Sequence, residues 1–353
     1  MADTLGEFLL EEIEGGAFPG GAALVGSSDA VLASAISGAA AVEPAREDLA
    51  ESTVFDLASL TKPLCTGALF ASWRGLDLAV APGRFFPAWK KTRYEGITLE
   101  HLLTHTSGLP AWFPLYARGA GALAYRKTLG ELEPEAAPGT RVIYSDLNFL
   151  LLGEIAETVF SSPLDAAFAS LAAEPSGSGA RFLPPRPEGT AATESGDRTE
   201  REMTARLGLS YAGFRSGVVR GQVHDGNAFR RGGVAGHAGL FGTARDVWAL
   251  ARPWLQDVRR DFGRDRTPLL TEARGLAWQG ARGAGSAIDA MPRSAFGHTG
   301  FTGTSVWLDP ENDRIFVLLT NRVHPVVREG DFNAVRRRFH ELFYGRTGSL
   351  AEL

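Results

Sequence analysis

Ser59 and Lys62 stand three positions apart, just where an apolar helix begins with Leu64, Leu69, Phe70 and Trp73. Three residues are nearly one helical turn, so the two side chains share a face. A serine in the first turn lies among unpaired backbone N–H groups at the positive end of the helix dipole. A neutral, half-buried amine beside it could take its proton and leave an alkoxide-like nucleophile. Pro63 fits this placement, because a first-turn residue has no helical acceptor for its N–H. Alone the spacing is a weak signal, and a Ser and a Lys on a surface helix face is the ordinary reading. Two later fragments carry compatible chemistry: Tyr144-Ser145-Asp146 offers a phenol, and His298-Thr299-Gly300 offers an imidazole beside a glycine.

These residues need elements to carry them. Leu5 to Ile13 reads as an amphipathic helix, ended by Gly15-Gly16. Gly20 to Gly26 and Ala30 to Ala35 are strand-like runs joined by Ser27-Ser28-Asp29, a hairpin signal. Thr98 is a fair N-cap for a helix ending near His105, and a broad apolar stripe predicts another from about Leu147 to Val159. Arg141 to Tyr144 reads as a strand, Glu174 to Gly189 as an excursion loop and Asp246 to Leu255 as a helix. Three strand-like runs close the chain (Ala295 to His298, Thr304 to Leu308, Ile315 to Thr320), before a helix from about Asp331 to Phe343. Strands at both ends with helices between them predict an α+β fold. One antiparallel sheet is built from both termini (1–62 and 290–353), with a mostly helical lobe (63–289) inserted.

At 353 residues the chain can bury a large core, and 44% hydrophobic with 22% charged residues is ordinary globular composition. A net charge of −5 provides no general attraction to nucleic acid or anionic membrane. No window approaches a membrane span, and the acidic start lacks the basic and apolar segments of a signal peptide, so a cytoplasmic location is expected, or a periplasmic one for a trimmed chain. The single cysteine, Cys65, permits no internal disulfide and reads as a buried structural thiol.

In this order and at these separations, the three fragments resemble the serine hydrolases of the class C β-lactamase type. That group includes low-molecular-weight penicillin-binding proteins, D-amino-acid peptidases and β-lactamase-fold esterases. Segments 102–109, 239–244 and 319–325 look like the family's connecting segments, so the resemblance covers almost the whole chain. It implies an acyl-enzyme at Ser59, with Lys62 as proton acceptor or stabiliser of the anion and Tyr144 as second base. A phenol near one or two cations would ionise well below its free value of about 10. His298 would stand on a strand edge facing the site, where the family often has Lys. Thr299, Gly300 and Asp146 would line the substrate, and the backbone N–H groups of Ser59 and Phe301 would form the oxyanion hole. No cofactor or metal is implied, and the partner is a small ester or amide.

Two departures from the family's pattern shift the expected substrate. Asp146 replaces an Asn whose amide could donate to a substrate carbonyl, and His298 replaces a permanently charged Lys. Both weaken the recognition of β-lactams and anionic D-peptides, and favour esterase-like or amidase-like activity. A Lys62–Asp146 contact would also retain the lysine's proton and leave Tyr144 as the base. The alternatives are a β-lactamase, a D-amino-acid peptidase or amidase, or a penicillin-binding-type protein that binds without turnover. A metal hydrolase built on the i, i+4 pair His101 and His105, or on His224, Asp225 and His237, is a further rival. Trp112, Phe113 and Tyr116 are candidate pocket aromatics.

Overall fold

The computed structural model describes the chain apart from residues 185, 256–260, 284, 286–290, 329 and 345–353. Its main sheet is antiparallel and seven-stranded, in the order β3-β2-β1-β10-β9-β8-β7. The strands are β1 (Gly20–Gly26), β2 (Val31–Ala41), β3 (Glu47–Asp48), β7 (Gln279–Gly280), β8 (Phe296–Thr299), β9 (Ser305–Asp309) and β10 (Arg314–Thr320). The first and last strands of the chain are neighbours, with Gly21 opposite Thr320 and Gly26 opposite Ile315. The α+β sheet built from both termini is therefore present, with the helical segments inserted between its halves. The expected lobe boundary at 289/290 lies outside the described residues.

Period-2 alternation decides which core each strand residue enters. Ala23 and Val25 of β1, with Phe316 and Leu318 of β10, pack under the N-terminal helix (Ala2–Glu14) and the C-terminal helix (Phe332–Tyr344). Their alternates Ala22, Leu24, Ile315, Val317 and Leu319 face the larger core of the inserted lobe. Both faces of the central strands are covered, which is why they read as unbroken apolar runs rather than as alternation.

The inserted lobe centres on a helix (Asp146–Phe160) with ten buried positions, capped at its C-terminus by left-handed Ser161. A small second sheet, β4 (Phe55–Asp56), β6 (Leu240–Gly242) and β5 (Arg181–Phe182), ties the chain just before Ser59 to segments far from it in sequence. The supposed loop 174–189 thus supplies one strand of this sheet. Residues 141–144 form no strand, and the helix starting at Ala244 tightens into a 3-10 turn at Arg252–Leu255, where Pro253 removes a donor. Among the described residues, no helix is long and apolar enough to cross a membrane.

Candidate active site

The segment that carries Ser59 leaves β4 through a tight bend. Buried Asp56 accepts from Ala58 N at 2.9 Å and from His224 N at 2.7 Å. Ala58 is held at φ +46°, a left-handed conformation that a side-chain-bearing residue adopts at a cost of about 1 kcal/mol. A single 3-10 turn (Ala58–Leu60) carries Ser59, and the chain then widens into π-type turns over Lys62–Gly67 before an α-helix at Ala68–Ser72. The helix expected after Ser59 is present, but its first turns are wound in the rarer forms that gather at functional sites.

Lys62 is fully buried, and its three ammonium hydrogens face three acceptors: Ser59 Oγ at 2.9 Å, Asp146 Oδ1 at 2.6 Å and His237 O at 3.3 Å. The last contact depends on Gly236, where a Cβ would lie 2.3 Å from the Phe149 carbonyl oxygen; glycine lets this strand of chain cross the 146–160 helix closely. Burial pulls the Lys62 pKa down, but Asp146 and Tyr144 together outweigh it and hold the amine above its ordinary range. Lys62 is therefore an ammonium, as the expected contact with Asp146 requires.

Tyr144 is half-buried on the cavity wall, with Lys62 Nζ 4.9 Å from its ring centroid, and both Lys62 and Ser59 act on its hydroxyl. Here the structure corrects an expectation. Burial pushes the phenol up by more than Lys62 pulls it down, and Asp146 adds to the rise, so Tyr144 is held above its ordinary range rather than below it. His105 packs on the Tyr144 ring with centroids 4.7 Å apart, and its Nδ1 accepts from Ser145 N at 3.0 Å, fixing the backbone beside the phenol. Arg274, 5% exposed and paired with Glu272 at 2.6 Å, lies 5.5 Å from the same ring's centroid. Nothing in the sequence singled out Arg274, which belongs to no motif.

His298 is a second correction. It is only 2% exposed, its ring centroid is 5.7 Å from that of Tyr144, and it is absent from the cavity wall. Its Nδ1 lies 2.8 Å from the Thr299 carbonyl, which can only accept, so Nδ1 carries the hydrogen. Burial first, then Lys62 and Arg274, hold its pKa well below the usual imidazole range. The residue is neutral and packs against Tyr144 instead of facing the substrate.

Ser59, Tyr144 and Asp146 open into a cavity of about 350 Å³, walled opposite by Thr299, Gly300 and Phe301. That wall is a tight turn bonded to the nucleophile segment. Thr302 and Thr304 donate to the carbonyls of Asp56 (2.7 Å) and Leu57 (3.1 Å), and Gly300 N donates to Thr304 O (2.7 Å). Gly300 is obligatory here, since a Cβ would sit 2.1 Å from Thr304 Oγ1 and 2.8 Å from Leu57 O. From the C-terminal helix, buried Arg336 donates to Gly300 O (2.8 Å) and Thr304 O (3.0 Å), while Arg322 donates to Phe301 O (3.0 Å). Both arginines line the cavity, and neither was a candidate from sequence.

The rival metal ligands are otherwise engaged. His101 Nδ1 accepts from Thr98 N at 3.1 Å in a capping box, and His105 Nδ1 is taken by Ser145 N. His224 pairs with Glu194 at 3.1 Å and stacks on Phe301, whereas His237 pairs with Asp225 at 2.9 Å. Among the described residues no group of three His, Cys, Asp or Glu could hold a metal. Of the three candidate aromatics only Trp112 reaches the cavity; buried Tyr116 donates to Glu200 at 2.7 Å. Cys65 is buried, and burial pushes its thiol far above the usual range.

Comparison with known proteins agrees with this architecture. The Beta-lactamase family model matches residues 8–338. A "Putative D-alanyl-D-alanine carboxypeptidase" of Escherichia coli K12 is 30% identical over 326 residues, covering 80% of this chain and 72% of the relative. An "N-acetylmuramyl-L-alanine amidase" of Bacillus subtilis 168 is 29% identical over 314 residues, covering 80% and 70%. Among solved structures, EstCE1, a hydrolase with promiscuous acyltransferase activity, shares the fold with a TM-score of 0.72 at 19% identity, over 96% of this chain and 97% of that one. A family model spanning nearly the whole chain, on a sheet closed by both termini, places this protein in the β-lactamase family of hydrolase-type folds.

Proposed function

We propose that the chain is a cofactor-free serine hydrolase that forms an acyl-enzyme at Ser59 on a small ester or amide. The observation that carries this reading is the meeting of Ser59, Lys62 and Tyr144 at one end of a cavity, with Lys62 Nζ 2.9 Å from the serine oxygen. With Tyr144 ionised, Ser59 Oγ attacks the substrate carbonyl while its proton passes to the phenolate oxygen. The Lys62 ammonium steadies both oxygens. The tetrahedral oxygen is received by the N–H groups of Ser59 and Phe301, a pair of donors each worth on the order of 3 kcal/mol. Tyr144 returns the proton to the leaving group, then takes one from the water that attacks the acyl carbonyl and passes it to Ser59 Oγ as the ester bond breaks. Because Tyr144 is held above its ordinary range, the rate on this scheme rises with pH.

Esterase-like turnover is the favoured activity, since acceptor-only Asp146 stands where an amide donor would grip a β-lactam or peptide carbonyl. A second reading, a carboxypeptidase or amidase, is favoured by Arg322 and Arg336, two cavity cations that a substrate carboxylate can reach. It also agrees with the names of the two relatives, a putative D-alanyl-D-alanine carboxypeptidase and an N-acetylmuramyl-L-alanine amidase. A serine-reactive phosphonate should label the wild type at Ser59 and spare Ser59→Ala; equal labelling of both ends the proposal. A panel of short nitrophenyl esters, D-amino-acid amides and cephalosporins then separates the two readings by kcat/KM.

A further inference from the structure

The charges around Tyr144 do not balance as its ionisation requires. From the nucleophile segment comes the Lys62 ammonium, but Asp146, on the helix that follows Tyr144, contacts it at 2.6 Å and offsets part of its charge. From the loop after the 99–103 helix comes His105, and from β8 comes His298. Burial, aided by Arg274 and Lys62, keeps both imidazoles neutral. Ser59 is uncharged. Among the described residues, the remaining charged group against the ring is the Arg274 guanidinium, 5.5 Å from its centroid and 5% exposed. Its counter-ion Glu272 is 41% exposed, so solvent screens that carboxylate far more than the buried guanidinium. Arg274 Nε is moreover buried with no hydrogen-bond partner among the described residues.

We propose that Arg274 is a positioning residue that supplies the uncompensated positive charge beside Tyr144, a task that neutral His298 cannot perform. It acts through Tyr144 and does not touch substrate. The inference rests on the reading of Tyr144 as the proton acceptor for Ser59. A guanidinium over an aromatic face is attracted more strongly once the ring oxygen becomes anionic. Arginine suits the position because its charge survives burial, where a lysine's can be lost.

The test is the pH dependence of phosphonate inactivation at Ser59, measured as a second-order rate constant. In the wild type it should rise with pH through a single midpoint, and Tyr144→Phe should abolish that rise. Arg274→Gln should move the midpoint upward by about one pH unit, while Arg274→Lys restores most of the shift. Glu272→Gln, a change at a half-exposed side chain, removes the opposing charge and should move the midpoint downward. That variant keeps the proposal testable should Arg274→Gln fail to fold. Midpoints that stay at the wild-type value in Arg274→Gln and Glu272→Gln, or a uniform loss of rate without a shift, overturn the role of Arg274. Persistence of the rise in Tyr144→Phe instead overturns the base assignment beneath it.

Discussion

Asp146→Asn is the most informative single substitution, because the side chain keeps its shape and loses only its charge. At 2.6 Å, with an effective dielectric of ~20, the Lys62–Asp146 attraction is roughly 6 kcal/mol. Much of this offsets the desolvation of a fully buried ammonium, and Asp146 is 21% exposed, so water weakens the remainder. An amide oxygen can still accept from Lys62 Nζ. The expected net destabilisation at neutral pH is therefore about 2 kcal/mol, a typical value for losing a charge-assisted hydrogen bond. At an unfolding entropy of about 2 cal/mol/K per residue, that lowers Tm by only about 3 °C in a chain of this length. Kinetics should answer more sharply. Asp146 raises the Tyr144 pKa, so its neutralisation lowers that pKa and moves the rising limb of the rate profile toward acid by about one pH unit. The amide also restores a donor toward a substrate carbonyl, so the ratio of cephalosporin to nitrophenyl-ester acylation should increase. Thermal melts and pH–rate profiles on the same preparations give all three readouts. A variant with an unmoved limb and an unaltered substrate ratio would show that Asp146 neither holds the Lys62 charge nor governs selection.

Two other perturbations test the frame around the site. Gly300→Ala should lower kcat/KM at least 100-fold while costing about 1–3 kcal/mol of stability, because the new Cβ drives the turn off Leu57 O and displaces the Phe301 amide; near-wild-type activity would refute the close approach. Acid should unfold the protein through its buried imidazoles. Burial pushes His340 down to about 3 and holds His105 and His298 well below the usual range. A group whose pKa is lower folded than unfolded stabilises fully above the unfolded value, near 6.5, and loses that contribution as pH falls toward the folded value. For His340 alone the window from 6.5 to 3 amounts to roughly 5 kcal/mol. His340→Phe should therefore flatten the loss of stability between pH 6 and 4; an unchanged acid limb in chemical denaturation would contradict the assignment.

Much of the scaffold was legible because its strands are long, apolar and bounded by turns. Gly20–Gly26 and Arg314–Thr320 are seven residues each, and the hairpin at Ser27-Ser28-Asp29 pairs β1 with β2 as its residues suggest. Pairs such as Phe55–Asp56, Arg181–Phe182 and Gln279–Gly280 were invisible, since two residues carry no periodicity and take their strand geometry from neighbours far away in sequence. The grouping of Ser59, Lys62, Tyr144 and Asp146 followed from motif order. Their ionisation did not, because burial of Tyr144 and His298 is a tertiary property. His298 was placed on the cavity for the same reason: its motif marks a strand edge but not which side of Tyr144 the ring occupies. Arg274 came from a segment with no signature and Arg322 from one whose family likeness assigns it no role, and only packing reveals that these two and Arg336 converge on the site.

Arg336 binds the carbonyls of the turn at Gly300 from a helix that begins at Phe332, and β1 finds its neighbour β10 only some 290 positions downstream. During synthesis, then, the amino-terminal hairpin emerges long before the strand that must lie beside it. The cavity wall is braced only after residues up to 336 have left the ribosome. Chains that stop short of residue 336 should therefore lack the two hydrogen bonds that hold the Gly300 turn in place.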